Sequence, residues 1–247
     1  MGKRNCLFCC SYENKLSREH VIAQWLLNEV GIYDNVLKMF HVNTYGKLRS
    51  ERTQVFNKLV NGLVCEQCNN GWMSSLEGEN KDGIINLMNI DSLEQIKEAI
   101  EFINRNHFSL AKWIFKNAIL FNYSVNYRKI VPRKHFINLY EGSIPDDVFI
   151  DIGFTKDYEA DFDWSMGQTI LAIKPENIED YDVSQNYKIS FRFRHLLVKV
   201  VRYRSHHNTF YEDGGAISLY PKFGIKQEFI FFENLLKFDT RGVIHVY

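Results

Sequence analysis

The sequence predicts an α+β protein: a cysteine-rich N-terminal module, then two helices, then a mainly antiparallel sheet. Three observations carry this prediction. Two Cys-x-x-Cys pairs lie in the first 70 residues, apolar residues recur at helical spacing after Ser92, and β-rich segments dominate beyond Ile130. A hydrophobic content of 45% with 15% aromatics is enough to bury a substantial core. The expected division is residues 1–80 and 84–247, with the segment EGENKDG (Glu77 to Gly83) as a solvated hinge between them.

Taken in order, the cysteines come first. Cys6/Cys9 and Cys65/Cys68 form two knuckles of the spacing that a tetrahedral Cys₄ zinc site needs, each closing a tight turn around the metal. A module this small has little core of its own, so structural Zn²⁺ is expected to contribute on the order of 10 kcal/mol to its folding. Cys10 is a spare. After the hinge, Ser92 is placed as an N-cap with Gln95 completing a capping box. Ile96, Ala99, Ile100 and Ile103 form the apolar face of a first helix, and Leu110, Trp113, Ile114, Ala118 and Phe121 that of a second helix after Ser109. The expected strands are VFIDIGF, QTILAIKP, KISFRFRHLLVKVVRY, AISLYP, QEFIFF and GVIHVY.

With 30 basic and 30 acidic residues the net charge is zero, which argues against a sequence-blind, strongly electrostatic nucleic-acid binder. No apolar run approaches the ~20 residues that span a bilayer. The N-terminus MGKRNCLFCC has no signal-peptide character, and Cys6 stands where a myristoylation motif needs Ser or Thr. A cytoplasmic protein without a membrane partner is expected, in a compartment where paired cysteines bind metal more often than they form disulfides.

Between the knuckles stands LSREHVI, and the second knuckle runs on as CNNGWMSSLE. Cys-x-x-Cys, then Glu-His-Val-Ile, then Cys-x-x-Cys-Asn resembles the zinc-bearing HNH endonucleases, whose catalytic unit is a ββα-metal finger. The resemblance covers residues 6 to about 77 and contains a long insertion before the second knuckle. It implies a first strand at LSREHVI, a second at KLVNGLV and a helix at NNGWMSSLE. It further implies that His20 is the general base, and that Glu19 and Asn69 hold a catalytic cation, Mg²⁺ or Mn²⁺. The middle Asn of the family, which orients the base, has no clear match here, and Asn61, four residues before Cys65, is the best of several candidates. Neighbours on a flat strand point to opposite faces, so Glu19 and His20 need a twist or bulge to share a site. Glu77, two helical turns past Asn69, is expected as a supporting or surface group, and Trp72 and Met73 as the core face of the helix.

One more stretch stands out. Between Val183 and Tyr211 there is no acid, while Arg192, Arg194, Arg202 and Arg204 alternate with aromatics. On an exposed sheet face these arginines would track phosphates, with DNA the expected partner and RNA left open. The other reading is an ordinary sheet whose arginines are solvated or paired with acids such as Asp161 and Asp163. For the whole chain, the leading expectation is a metal-dependent endonuclease that hydrolyses phosphodiester bonds. The alternative is a non-catalytic zinc module that binds nucleic acid or protein.

Overall fold

A computed structural model describes residues 4–42, 47–125, 129–167, 186–203, 209–212, 215–221, 230–240 and 243–246. It has the α+β composition that the sequence predicts. The N-terminal half contains β1 (Glu19–His20), α1 (Gln24–Glu29), β2 (Val36–Val42), β3 (Leu48–Val55), β4 (Val60–Asn61), α2 (Glu66–Cys68) and α3 (Ser74–Met88). A π-helical turn, Asn69–Met73, joins α2 to α3 and breaks at Gly71, whose ψ of −112° is not helical. β1 pairs antiparallel with β4, and β2 with β3.

The residues expected as a hinge lie inside α3. Their charges and glycines hide a helical repeat: Met73, Leu76, Asn80, Gly83, Ile84 and Leu87 are all buried on one side. The two expected helices are likewise one, α4 (Leu93–Val125), of 33 residues and about 50 Å. Its start is as expected, with Gln95 N–H donating to Ser92 Oγ and Ser92 N–H to Gln95 Oε1. Ser109 does not cap a second helix because its hydroxyl is used sideways. It donates to Glu79 Oε2 and accepts from Asn80 Nδ2, both at 2.9 Å, joining α4 to α3.

After α5 (Arg133–Tyr140) come β5 (Val148–Thr155), β6 (Phe162–Gly167), β7 (Tyr187–Phe193), β8 (Leu196–Arg202), β9 (Thr209–Glu212), β10 (Ile217–Tyr220), β11 (Phe231–Phe232), α6 (Leu235–Thr240) and β12 (Val243–Val246). The main sheet has the order β10-β5-β8-β7-β6 with antiparallel neighbours, and β11 adds to β5 in parallel. β9 and β12 form a separate antiparallel pair. QTILAIKP lies outside the described residues.

The main sheet is covered on both faces. Ile189, Phe191 and their β8 partners Val200 and Val198 face α4 and α5, where Phe121 meets Phe191 edge-on at 5.0 Å. Lys188 and Ser190 face α6 and bond Asp239. One hydrophobic cluster runs from Cys6 through α4 to Leu219. Among the described residues no helix is long and apolar enough to cross a membrane.

This two-sided burial corrects the expected phosphate track. Arg192 is cross-strand from Leu197, Arg202 from Tyr187, so the two guanidiniums lie on opposite faces of the sheet. Both are buried, Arg202 completely, and each has an acid beside it: Asp163 at 4.0 Å for Arg192 and Asp147 at 2.9 Å for Arg202. Arg194 occupies the β7–β8 turn with φ of 49° and reaches the N-terminal half, bonding the Glu29 carbonyl and Asn89 Oδ1. It also lies 3.6 Å from Asp161. Arg204 lies outside the described residues. These arginines fasten the sheet rather than present an exposed cationic face.

Candidate metal centre and cleft

The two knuckles meet. Cys6 Sγ lies 3.8 Å from Cys68 Sγ and Cys9 Sγ 3.7 Å from Cys65 Sγ, and all four sulfurs fall within 4.8 Å of one another. Disulfide sulfurs would sit about 2.05 Å apart, so these are free thiols. Four sulfurs bonded tetrahedrally at about 2.3 Å lie about 3.8 Å apart, so the set fits a metal ion such as zinc. Backbone amides of Cys65 and Cys68 donate to Cys6 Sγ and Cys65 Sγ, each at 3.4 Å, stabilising thiolate charge. Main-chain bonds from Leu7 to Leu63, Ser17 to Val64 and Glu66 to Lys15 hold the knuckles together, and the Arg133 guanidinium donates to the Cys6 carbonyl. Cys10 turns with φ of 59° and stays out of the cluster.

Beside the cluster, β1, α1 and the helical segment from Asn69 into α3 frame an open cleft of about 370 Å³. It is lined by Glu19 and His20 of β1, Gln24 and Trp25 of α1, Asn69 at the helical entry, and Glu77 of α3, among others. The three residues expected to act together therefore do share one site. β1 ends immediately after His20, and this short strand lets neighbours of opposite facing border the same cleft.

His20 is half-buried. Its Nε2 lies 3.0 Å from the Gln24 amide nitrogen, and the ring also hydrogen-bonds the backbone of Asn57. Burial, more than the nearby Arg18 charge, pushes its pKa below the ordinary imidazole value, which keeps the ring neutral and able to accept a proton. Asn69 Nδ2 donates to Ser17 Oγ at 3.3 Å, which leaves its oxygen as the atom available to a cation.

Asn61 does not orient the base. It lies directly across from Glu19, not His20, and its side chain is used locally: Oδ1 accepts from the Leu63 amide at 2.8 Å, and Nδ2 donates to Ser124 of α4 at 3.3 Å. Gln24 and the Asn57 backbone hold His20 instead.

Glu19 has a partner that the sequence does not announce. Lys116 of α4, with no exposed surface, places its ammonium 3.7 Å from Glu19 Oε1 and 2.5 Å from Glu77 Oε1. The other Glu77 oxygen accepts from Trp25 Nε1 at 3.1 Å, and Trp25 in turn packs on Trp113 of α4 with ring centroids 6.3 Å apart. Burial pushes the Glu19 carboxyl up to about 7, an effect that Lys116 opposes and Glu77 reinforces. Lys116 lies far along the chain, between Phe115 and Asn117 of a long helix, so only the fold reveals it.

No known protein family, curated protein or solved structure matches this chain.

Proposed function

We propose that this protein is a metal-dependent endonuclease of HNH type, with a structural zinc on Cys6, Cys9, Cys65 and Cys68. The observation that carries this reading is the convergence of Glu19, His20 and Asn69 on one cleft beside the cysteine cluster. His20, neutral near pH 7, accepts the proton of an attacking water at a ring nitrogen. Glu19 and the Asn69 oxygen are the hard donors that would hold Mg²⁺ or Mn²⁺. When bound, such a cation supplies charge stabilisation for the phosphoryl oxygens and the leaving 3′ oxygen. Gln24 and the Asn57 backbone hold the ring in the cleft. The substrate is a nucleic acid, with DNA first and RNA as the second candidate.

A specific observation favours a second reading, a non-catalytic zinc module. Lys116 already places a positive charge beside Glu19, which is the service a bound cation would perform. One experiment separates the two: plasmid, linear duplex and single-stranded substrates incubated with zinc-loaded protein and Mg²⁺ or Mn²⁺. The nuclease reading expects cleavage that His20→Ala abolishes while zinc content and thermal stability stay at wild-type values. Absence of cleavage on every substrate, or undiminished cleavage by the variant, rejects His20 as the base.

A further inference from the structure

Between β1, which borders the cleft, and its partner β4, the chain makes an excursion. β2 and β3 pair from Val36 opposite Val55 to Val42 opposite Leu48, and no third strand joins them among the described residues. The root of this ribbon is packed, with Leu37 and Met39 buried and Phe56 meeting Phe162 edge-on at 5.3 Å. Farther out it is bare. Leu48 through Thr53 are all exposed, and Phe40 and Val42 are 55% and 59% exposed.

The charge on this bare part is one-sided. Lys38, Arg49 and Arg52 stand against a single acid, Glu51, among the described residues of the ribbon. No described carboxylate lies within ion-pair distance of these three cations, whereas Arg192, Arg194 and Arg202 of the sheet each have one. The field of Arg52 extends onto the body: the Lys129 ammonium is pushed below its ordinary pKa by burial first and by the like charge of Arg52 second. An uncompensated set of cations on a projecting element attracts a polyanion. The root is also tied to the cleft, because Asn57, just after β3, is the residue whose backbone bonds the His20 ring.

We propose that the β2–β3 ribbon is the arm through which this protein grips double-stranded nucleic acid, with Lys38, Arg49 and Arg52 on phosphates and Phe40 and Val42 against the groove. A two-stranded ribbon has the width that the major groove of B-DNA admits. Lys38, Phe40 and Val42 alternate onto one face of β2, with Glu51 across from Phe40, while Arg52, opposite Met39, lies on the other face, so the cations stand on both faces of the ribbon and the apolar strip on one. Apolar side chains of this kind contact thymine methyls or wedge at base steps. The inference deepens the nuclease reading, since the arm would present the duplex to the cleft, but its test is independent of cleavage.

Full-length, zinc-loaded protein carrying His20→Ala is titrated with a fluorescein-labelled DNA duplex over a range of salt concentrations, with and without Lys38→Gln, Arg49→Gln and Arg52→Gln together. The triple change should weaken binding at least ~10-fold near physiological salt and reduce the log–log salt slope by roughly three, about 0.9 for each lost phosphate contact. Zinc content and melting temperature should not move. Phe40→Ser should weaken binding and leave the slope intact. Equal affinity and slope in the triple variant overturn the proposal. So does a sedimentation result in which Phe40→Ser turns a dimer into a monomer with duplex binding unchanged, because the face would then join two copies of the chain. Ribbon-dependent binding by a wild-type protein that cleaves nothing sustains the arm and rejects the nuclease; cleavage with ribbon-independent binding does the reverse.

Discussion

Lys116 shows how one side chain can set the character of a site it does not line. Its ammonium is completely buried and is satisfied by Glu77 and Glu19. Removing one partner of a buried ionic set leaves the others uncompensated, so Lys116→Met should destabilise the protein by roughly 3–5 kcal/mol, as read from urea unfolding of the zinc-loaded form. Glu19 gives a pH signature. Its folded pKa, about 7, lies above the ordinary 4.5, so between those values the folded state holds a proton that the unfolded chain has lost. Its contribution to stability is therefore complete below the ordinary value and is lost as pH rises through about 7, at on the order of 1 kcal/mol per pH unit. Glu19→Gln should flatten that slope in unfolding curves measured without added Mg²⁺. The same titration predicts that the Mg²⁺ concentration needed for cleavage falls as pH rises towards 7, since Glu19 must lose its proton to hold the cation. The Glu-His pair and the cysteine spacing were legible because chemistry-bearing residues stand at fixed offsets in the chain. Lys116 was not, since nothing local distinguishes a buried lysine from a solvated one.

At the scale of elements, α3 and α4 show what misleads a reader of sequence. Glu77 to Gly83 has the composition of a loop, yet Asn80 and Gly83 occupy core positions of a helical repeat that starts at Met73. Gly83 serves close packing rather than bending: a Cβ there would stand 1.9 Å from Phe102 Cζ of α4. Gly83→Ala should therefore displace the ring and cost about 1–3 kcal/mol, and Gly83→Ala with Phe102→Leu should recover part of the loss in thermal melts. β6 was missed although Phe162, Trp164 and Met166 alternate with polar residues, the signal that marked β7. The expected exposure of the β7 and β8 arginines fails because alternation reports that a strand has two faces and is silent on whether both are covered: Arg192 lies on the α6 side and Arg202 on the side of Tyr187. The Ser92–Gln95 capping box was read correctly because all of its partners lie within one turn.

For the whole molecule, α4 is a spine. Lys116 reaches Glu19, Ser124 reaches Asn61, and Phe121 reaches the sheet, while Arg133 just beyond it holds the Cys6 carbonyl. The N-terminal module and the main sheet are thus joined through one core, and calorimetry of the zinc-loaded protein should record a single unfolding transition. Residues 1–80 expressed alone should stay unfolded even with zinc, because the counter-charge of Glu19 and the partner of Asn61 would be missing; a dispersed amide spectrum from that fragment would contradict this. The contact between Trp25 and Trp113 has an optical consequence. Two indoles with centroids 6.3 Å apart and planes inclined at 38° couple their transition dipoles, which gives an exciton couplet in circular dichroism. One ring belongs to the cleft and the other to the spine, so the couplet tells a spectroscopist directly whether α4 has docked.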